Sequence, residues 1–360
     1  MLQDAEILAL HREIVAYPSI SGQEDGLCTL LCDWLSGRGW NVHRTGDSLW
    51  VVNGTGPLLM LDTHIDTVPP SPKWTREPHT VTVEDGRVYG LGSNDAKASV
   101  VAMIAALENV GREDLGLTLC LGLAAEEETK SRGTEMILEA MKVEGYEVAA
   151  AVIGEPTGLD IATSQKGLLM IDIAAEGDAC HAANATALGA RNAAFRLARD
   201  IVALEELDRG EDHPRLGPAT LQATVLQAGT ARNMIPAEAT ALLDIRTTPT
   251  RSHAEWIKKI RGVVDGEVHV RSQRLEPRET AEDHPIVQAA RRARPEAKLY
   301  GSAGMSDLVL FQGIPAIKVG PGRTERSHTP DEFVLEEEIL AGARFYEAVV
   351  RQFAASLTRS

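Results

Sequence analysis

The chain has 360 residues, of which 44% are hydrophobic and 24% are charged, and its formal net charge at pH 7 is −16. This length exceeds the size at which one core usually keeps growing, so two domains are expected. The acidic balance argues against a nucleic-acid partner, and no apolar stretch approaches the roughly 20 residues of a membrane helix, which argues against a membrane partner.

The N-terminal part alternates helix-like with strand-like segments. Residues 1–14 mix charged and apolar side chains and do not resemble a cationic leader with an apolar block, which predicts a cytoplasmic protein. Apolar periodicity predicts helices at residues 7–17, 26–38 and 98–107, and strands at residues 41–43, 49–52, 58–61 and 117–123. This alternation predicts an α/β fold in which a mostly parallel sheet is flanked by helices.

The middle of the chain has a different order of elements, with strand, helix, two strands and helix in succession. They are predicted at residues 168–174, 187–204, 220–226, 239–245 and 253–264, with a further strand at 267–271. This order predicts a small α+β domain at residues 164–273, inserted into a larger domain formed by residues 1–163 and 274–360. The earlier pattern resumes with predicted elements at residues 285–294, 316–319 and 336–353.

Histidine and acidic side chains stand just past the ends of short apolar runs in the larger domain. These residues are His64, Asp66, Asp95, Glu126, Glu127, Glu128, Glu155 and His328. Ligand sites of open α/β sheets lie outside the carboxyl ends of the strands, so we expect these side chains to converge on one crevice. Two histidines and several carboxylates gathered there predict a metal site.

His64 and Asp66 flank Ile65, so an extended strand would place both side chains on one face. We expect His64 to bind a metal and Asp66 to hold its other ring nitrogen, with a hydrogen-bonded surface histidine as the alternative. For Asp95 the alternative is a helix cap. The glycines before it also suggest a phosphate loop, but residues 90–95 lack both the third glycine of a dinucleotide fingerprint and a Gly-Lys-Ser/Thr ending.

The three consecutive acids Glu126, Glu127 and Glu128 are either a solvated charge run or part of the metal site. Converging carboxylates after a buried strand would repel one another unless cations neutralise them, which favours the metal site. One acid would bind a metal and its neighbour would act as general base. Nitrogen and oxygen ligands without thiolates suit two Zn²⁺ ions sharing Asp95, with Co²⁺ or Mn²⁺ as possible substitutes.

These residues resemble the co-catalytic metallopeptidases of family M20, which include acetylornithine deacetylase, succinyl-diaminopimelate desuccinylase and aminoacylase. The likeness covers nearly the whole chain through ordered segments: His64-Ile65-Asp66, Gly92 to Lys97, Glu126-Glu127-Glu128, Gly154-Glu155-Pro156-Thr157, Gly177 to His181, Asn233-Met234-Ile235-Pro236, Asp244-Ile245-Arg246 and His328. The resemblance implies a zinc exopeptidase-like catalytic domain with an inserted lid and dimerisation domain.

The resemblance also implies a role for each site residue. His64, Asp95 and Glu155 would bind one metal, while Glu128 and His328 complete the other and share Asp95. Glu127 would be the base, His181 would reach the partner subunit's site to stabilise the oxyanion, and the enzyme would be a homodimer. Asn233 and Arg246 match positions that contact the substrate carboxylate. Without the family, His181 and Arg246 would be interpreted as surface residues.

The segment from Gly320 to Phe333 looks most like acetylornithine and related N-acetyl amino acid deacetylases, which implies a small N-acyl amino acid substrate in arginine or lysine biosynthesis. Desuccinylase, aminoacylase or dipeptidase activity is the alternative, because these enzymes share all metal ligands and differ in the substrate pocket. A non-catalytic binding homologue and a nucleotide-dependent enzyme are more remote alternatives. Departures from the family pattern are Ala96, Ala98 and Glu126, and the acid pair is assigned to Glu127 and Glu128 because Thr129 also matches.

Overall fold

The computed structural model describes residues 1–357 and divides the chain into two compact units. Unit 1 contains Met1–Thr163, Thr280–Tyr300 and the described residues from 306 onward, and unit 2 contains Ser164–Glu279 and Gly301–Met305. The first segment of unit 2, Ser164–Glu279, includes the predicted insert at residues 164–273 and a strand from Glu267 to Leu275 that crosses the predicted boundary. Every helix among the described residues is too short or too polar to cross a membrane.

The α-helices lie in both units. They are α1 (Asp4–Ala16), α2 (Asp25–Gly37), α3 (Lys97–Val110), α4 (Arg132–Val143), α5 (Ala185–Leu188), α6 (Ala193–Glu205), α7 (His253–Arg261), α8 (Pro285–Ala293) and α9 (Glu336–Leu357).

The strands of the first half are β1 (Val42–Thr45), β2 (Ser48–Gly54), β3 (Leu58–His64), β4 (Thr82–Glu84), β5 (Arg87–Tyr89), β6 (Thr118–Ala124), β7 (Val148–Ile153), β8 (Ile161–Gln165) and β9 (Gly167–Glu176). Those of the second half are β10 (Cys180–His181), β11 (Thr220–Ala228), β12 (Met234–Ile235), β13 (Glu238–Thr247), β14 (Glu267–Leu275), β15 (Arg278–Glu279), β16 (Leu299–Ser302), β17 (Ala316–Lys318) and β18 (Phe333–Leu335).

The main sheet of unit 1 has the strand order β1-β2-β6-β3-β7-β17-β8. Its four central strands, β6, β3, β7 and β17, run parallel to one another, while β2 pairs with β6 and β8 pairs with β17 in the antiparallel sense. This confirms the predicted α/β class with a mostly parallel sheet.

Helices cover both faces of the sheet because its central strands are apolar on both sides. Every residue of β3 is buried, and its side chains alternate between two cores. Leu59 and Leu61 belong to the core formed with α1, α2, α3, α8 and α9, whereas Met60 packs with Ile137 and Met141 of α4. The sequence interpretation did not include α4.

Two expectations differ from the structure: the position of Asp95 past a strand end of the main sheet, and the single helix at residues 187–204. The segment before Asp95 is not a strand of the main sheet, because β5 pairs with β4 and β18 in a separate three-stranded sheet. Residues 187–204 form two helices rather than one, since the backbone of Gly189 is left-handed (φ +61°) and ends α5. The side chain of Asn192 then caps α6 by accepting a hydrogen bond from the Ala194 N–H.

Unit 2 is built on an antiparallel sheet of order β11-β13-β9-β14. Side chains of β9 alternate between buried and half-buried, and Ile171 and Ile173 form a core with Leu243 of β13 and Trp256 of α7. A separate pair of short strands, β10 and β12, joins Cys180 to Ile235 and His181 to Met234.

Candidate metal centre

The carboxyl ends of three neighbouring parallel strands form the base of the site. β3 ends at His64, β6 ends at Ala124, and β7 ends one residue before Gly154. The Ile65 N–H donates to the Ala124 carbonyl at 2.8 Å, and the Thr63 hydroxyl donates to the Gly154 carbonyl at 2.7 Å. The loops that carry the three acids and Glu155 therefore leave the sheet on either side of His64.

Asp95 lies between the two histidines and faces each with a different carboxylate oxygen. Its Oδ1 atom is 3.3 Å from His64 Nε2, and its Oδ2 atom is 3.7 Å from His328 Nε2. Asp95 reaches this position from the loop before α3 rather than from the main sheet. A carboxylate placed in this way suits a ligand shared by two metal ions.

Three overlapping groups of side chains could each hold a metal ion, since their ligand atoms lie within 4.8 Å of one another. The groups are His64, Asp95 and Glu155; His64, Glu127 and Glu128; and Asp95, Glu128 and His328. His328 Nε2 lies 2.8 Å from Glu128 Oε1, and His64 Nε2 lies 3.9 Å from Glu155 Oε1. The structure thus brings together all five predicted metal ligands and the predicted base.

Asp66 is fully buried and holds both His64 and the acid loop. Its Oδ1 and Oδ2 atoms accept hydrogen bonds from the Glu127 and Glu128 N–H groups, each at 3.1 Å, and Oδ2 also accepts from the Ser21 hydroxyl at 2.6 Å. His64 Nδ1 lies 3.4 Å from Asp66 Oδ1 and 3.1 Å from the Asp66 backbone oxygen. Asp66 therefore holds the backbone of two residues of the acid run in addition to the imidazole.

The electrostatics of the site favour bound cations. Burial raises the pKa of Glu127 well above its ordinary value, and burial together with the nearby Asp95 raises the pKa of Glu155 to about 8. Burial opposes a charge on His64, but the Asp66 and Asp95 carboxylates raise its pKa well above the usual range. Such crowding of buried carboxylates is relieved by cations, and imidazole nitrogen with carboxylate oxygen is a donor set that Zn²⁺ accepts. The residues fit the predicted metal pair.

The loop that carries His328 contains non-glycine residues with left-handed backbone. The φ angles of His328 and Asp331 are +58° and +54°. Asp331 is held by the Thr75 and Arg76 N–H groups, which donate to its Oδ1 atom at 2.9 and 3.0 Å. This backbone conformation costs roughly 1 kcal/mol or more for a residue with a Cβ, so contacts elsewhere must hold the loop in place.

The predicted oxyanion residue His181 and the predicted substrate-binding residues Asn233 and Arg246 lie in unit 2. His181 is exposed, and its Nδ1 atom accepts a hydrogen bond from the Ala183 N–H at 3.2 Å, so the neutral ring carries its proton on Nε2. The carbonyl of Asn233 accepts a hydrogen bond from the Ala182 N–H at 2.9 Å, which places it beside His181. The guanidinium of Arg246 forms a bidentate pair with Asp244 at 2.8 and 3.0 Å.

Sequence reasoning missed a buried acid pair below His64. The Thr134 hydroxyl lies 3.0 Å from Asp62 Oδ2 and 2.6 Å from Asp307 Oδ2, and both carboxylates are buried. Burial, with Asp62 and Asp307 close together, raises the pKa of Asp62 well above its ordinary value. The position of Asp62 directly after the apolar run 58–61 was the signal for this acid, whereas nothing in the local sequence marks Asp307.

The phosphate-loop alternative for residues 90–95 is disfavoured by hydrogen bonds inside the protein. The N–H groups of Gly92, Asn94 and Asp95 already donate to the carboxylate of Glu332. Glu332 belongs to the segment 320–333 that resembles the deacetylases, but no pattern around it indicates a role.

Comparison with known proteins identifies the chain's relatives. Residues 60–352 match the model of peptidase family M20/M25/M40. A succinyl-diaminopimelate desuccinylase from Bordetella petrii is 32% identical over 277 residues, which cover 72% of each chain. A second one, from Parvibaculum lavamentivorans, is 28% identical over 378 residues, covering 95% of this chain and 94% of that one. The solved structure of the Bacillus subtilis YXEP protein, a dinuclear metal binding peptidase from the M20 family, covers 99% of this chain and 98% of its own with a TM-score of 0.73 and 18% identity, a likeness of fold.

Proposed function

Because the chain belongs to peptidase family M20/M25/M40, we propose that it is a dinuclear zinc amidohydrolase that removes an N-acyl group from a small amino acid. Membership makes it a metal-dependent hydrolase that acts on an amide bond. The observation that supports a dinuclear centre is the carboxylate of Asp95, which faces His64 with one oxygen and His328 with the other. The dinuclear metal binding of the YXEP protein agrees with this proposal.

His64, Asp95 and Glu155 would hold one ion, and Asp95, Glu128 and His328 would hold the other. Bound zinc would supply the Lewis acidity that polarises the amide carbonyl and acidifies a water molecule. Glu127 lies among these ligands but is not needed to complete either set, which leaves it free to act as the base. It would take a proton from the water as the water oxygen bonds to the carbonyl carbon, and would deliver it to the nitrogen as the C–N bond breaks.

We propose that Asn233 and Arg246 bind the carboxylate of the substrate and that His181 stabilises the oxyanion. The tautomer of His181 supports this role, since its Nε2–H is left to donate. Arg246 offers a planar fork suited to a carboxylate. Its present bond to Asp244 means that a substrate carboxylate would have to share or replace that partner.

The desuccinylase relatives favour N-succinyl-diaminopimelate as the substrate and lysine synthesis as the setting. We therefore prefer the desuccinylase alternative to the N-acetyl interpretation. Acetylornithine deacetylase activity is the second candidate, because the segment from Gly320 to Phe333 resembles the deacetylases. The two activities share all metal ligands and would differ only in the contacts made with the acyl group and side chain.

We also propose that the protein is a homodimer formed through unit 2. Phe195 and Val202 of α6 are 66% and 61% exposed, and their spacing of seven residues places them on one face of the helix. The edge strand β11 exposes Leu226. Exposed apolar side chains next to an unpaired strand edge are typical of an association surface.

The test is amine release by zinc-loaded and chelator-treated protein from a panel of substrates. The panel contains N-succinyl-diaminopimelate, N-acetylornithine, N-acetylcitrulline, N-acetyllysine, N-acetylmethionine and simple dipeptides. We expect zinc-dependent cleavage with N-succinyl-diaminopimelate as the preferred substrate. Preference for N-acetylornithine would establish the second candidate instead, and no cleavage by protein that holds two zinc ions would contradict the proposed activity.

A further inference from the structure

We propose that Glu332 is a positioning residue that fixes the backbone of Asp95 and ties it to the loop of His328, and that it thereby sets the zinc affinity of the centre. The inference rests on the proposed function, because it assumes that Asp95 and His328 bind metal. Glu332 does not belong to any of the three ligand groups. It would act through Asp95 rather than on the substrate.

The carboxylate of Glu332 is the acceptor for three backbone N–H groups of the Asp95 loop. Its Oε1 atom accepts from Asn94 and from Asp95, both at 2.9 Å, and its Oε2 atom accepts from Gly92 at 3.2 Å. Glu332 is 2% exposed, so these bonds are shielded from water. Hydrogen bonds from N–H groups to an ionised carboxylate are roughly twice as strong as neutral ones, so the three donors favour the charged form of Glu332.

The backbone conformation of the Asp95 loop, residues 92–95, favours the binding of an anion. Gly92 has a left-handed backbone (φ +76°), and a Cβ there would lie 2.5 Å from Thr67 Cγ2, so the loop turns where a side chain would not fit. This turn directs N–H groups from neighbouring residues to one point, as in the anion-binding nests of other loops. Here the anion is a side chain of the protein itself.

Burial and the nearby Asp95 raise the pKa of Glu332 to about 8, so a negative charge on Glu332 is costly there without compensation. The three N–H groups provide part of it. Burial lowers the pKa of Lys97 to about 7, and the charged form of this lysine interacts favourably with Glu332. Burial of the Glu332 carboxylate therefore costs free energy. The N–H groups of the Asp95 loop offset part of this cost.

The side chain of Asn94, in the Asp95 loop, makes a second connection to the segment that leads to His328. Its side-chain Oδ1 atom accepts from the Arg323 N–H at 2.9 Å, and its Nδ2 group donates to the Arg323 carbonyl at 3.1 Å and to the Ser327 hydroxyl at 3.3 Å. The Asp95 loop and the His328 loop therefore hold each other through a side chain from each. Because Asp95 faces both histidines, a shift of its backbone would change both metal sites together.

Asp331 provides a matched control within the same loop. It also accepts backbone hydrogen bonds, but from Thr75 and Arg76 rather than from the Asp95 loop. Glu332→Gln keeps the size of the side chain but turns an amide N–H₂ toward backbone donors, so at least one bond is lost. Glu332→Asp keeps the charge but shortens the reach by one methylene group. Asp331→Asn makes the corresponding change at the neighbouring tether.

The measurements are zinc affinity by competition with a chelator, the zinc content after dialysis, and the melting temperature of the metal-free proteins. We expect Glu332→Gln to weaken zinc binding by about 10- to 100-fold, the range found when groups behind metal ligands are removed. The zinc affinity of Glu332→Asp should lie between those of Glu332→Gln and the wild type. Asp331→Asn should change the zinc affinity by less than about threefold.

Equal zinc affinities in Glu332→Gln and Asp331→Asn would overturn the proposal. So would a lower melting temperature of metal-free Glu332→Gln with unchanged zinc affinity, which would make Glu332 a purely structural residue. If Glu332→Gln does not fold, the zinc affinities of Glu332→Asp and Asp331→Asn are compared instead. Equal affinities of these two variants would likewise overturn the proposal. Wild-type protein that binds no zinc would instead refute the proposed function, so the two failures are distinguishable.

Discussion

His11 should make the stability of unit 1 depend on pH in the mildly acidic range. The imidazole is fully buried in α1, its Nε2 atom is 2.8 Å from the Ser93 carbonyl, and its Nδ1 atom has no hydrogen-bond partner among the described residues. The neutral ring therefore donates from Nε2, and protonation would place a second N–H where nothing accepts it. Burial lowers the pKa of His11 from 6.5 to about 4.

The lowered pKa determines both the sign and the size of the effect. Between pH 6.5 and pH 4 the unfolded chain binds a proton at this position and the folded chain does not, so acidification favours unfolding. Stability from this group is complete above pH 6.5 and is lost progressively as the pH falls toward 4. The whole shift corresponds to about 3 kcal/mol, of which about 2 kcal/mol should be lost between pH 7 and pH 5.

Urea unfolding of metal-free wild type and His11→Gln at pH 7 and pH 5 measures this difference. Glutamine retains a donor for the Ser93 carbonyl but does not titrate, so its free energy of unfolding should fall by about 2 kcal/mol less than that of the wild type over this range. Metal is removed from both proteins so that ligand protonation contributes equally. Parallel pH profiles for the two proteins would refute the assignment of a buried neutral imidazole.

Four further outcomes are expected. Glu127→Gln should retain both zinc ions but lose about 10²- to 10⁴-fold in kcat, measured by amine release with zinc content as the control; unchanged turnover would exclude it as the base. Asp66→Asn should weaken zinc binding by about 10- to 100-fold in a chelator titration, because it loosens both His64 and the acid loop; full affinity would contradict that link. Removing metal with a chelator should lower the melting temperature, by an amount equivalent to about 2.7 kcal/mol if free zinc had been at 100 times its dissociation constant, and no shift would speak against a metal site. A Phe195→Glu, Val202→Glu double variant should elute as a monomer in size-exclusion chromatography with light scattering, whereas a wild type that is itself monomeric would refute the proposed dimer.

The main sheet was predictable because its buried strands appear in the sequence as runs of apolar residues. Strands β3 and β6 are buried at every position and carry apolar runs at residues 58–61 and 119–121, which is typical of parallel strands covered on both faces. The acids and histidines that follow such strands can be assigned to one crevice without a structure, since parallel strands share the direction of their carboxyl ends. Periodicity and strand direction together are sufficient for this part of the fold.

Other parts depend on contacts that leave no local pattern. Asp95 follows a short strand of a separate sheet, so its place between the two histidines comes from long-range packing rather than from the rule of strand ends. The bonds of Glu332 go to backbone N–H groups, which every residue type except proline possesses, so nothing in residues 92–95 indicates that partner. The break at Gly189 was missed because helix periodicity continues across it, although glycine there ends α5.

The left-handed backbone at His328 has a consequence for how this protein could change under selection. Glycine or asparagine would relieve the local strain there, so substitution to either lowers the backbone cost of the metal-free fold, while it removes the contact with Glu128 and a proposed ligand. Laboratory evolution for heat resistance alone would thus be drawn toward inactive variants at this position. Only a screen that also demands turnover would preserve the imidazole, which makes position 328 a marker of the trade-off between durability and activity in this chain.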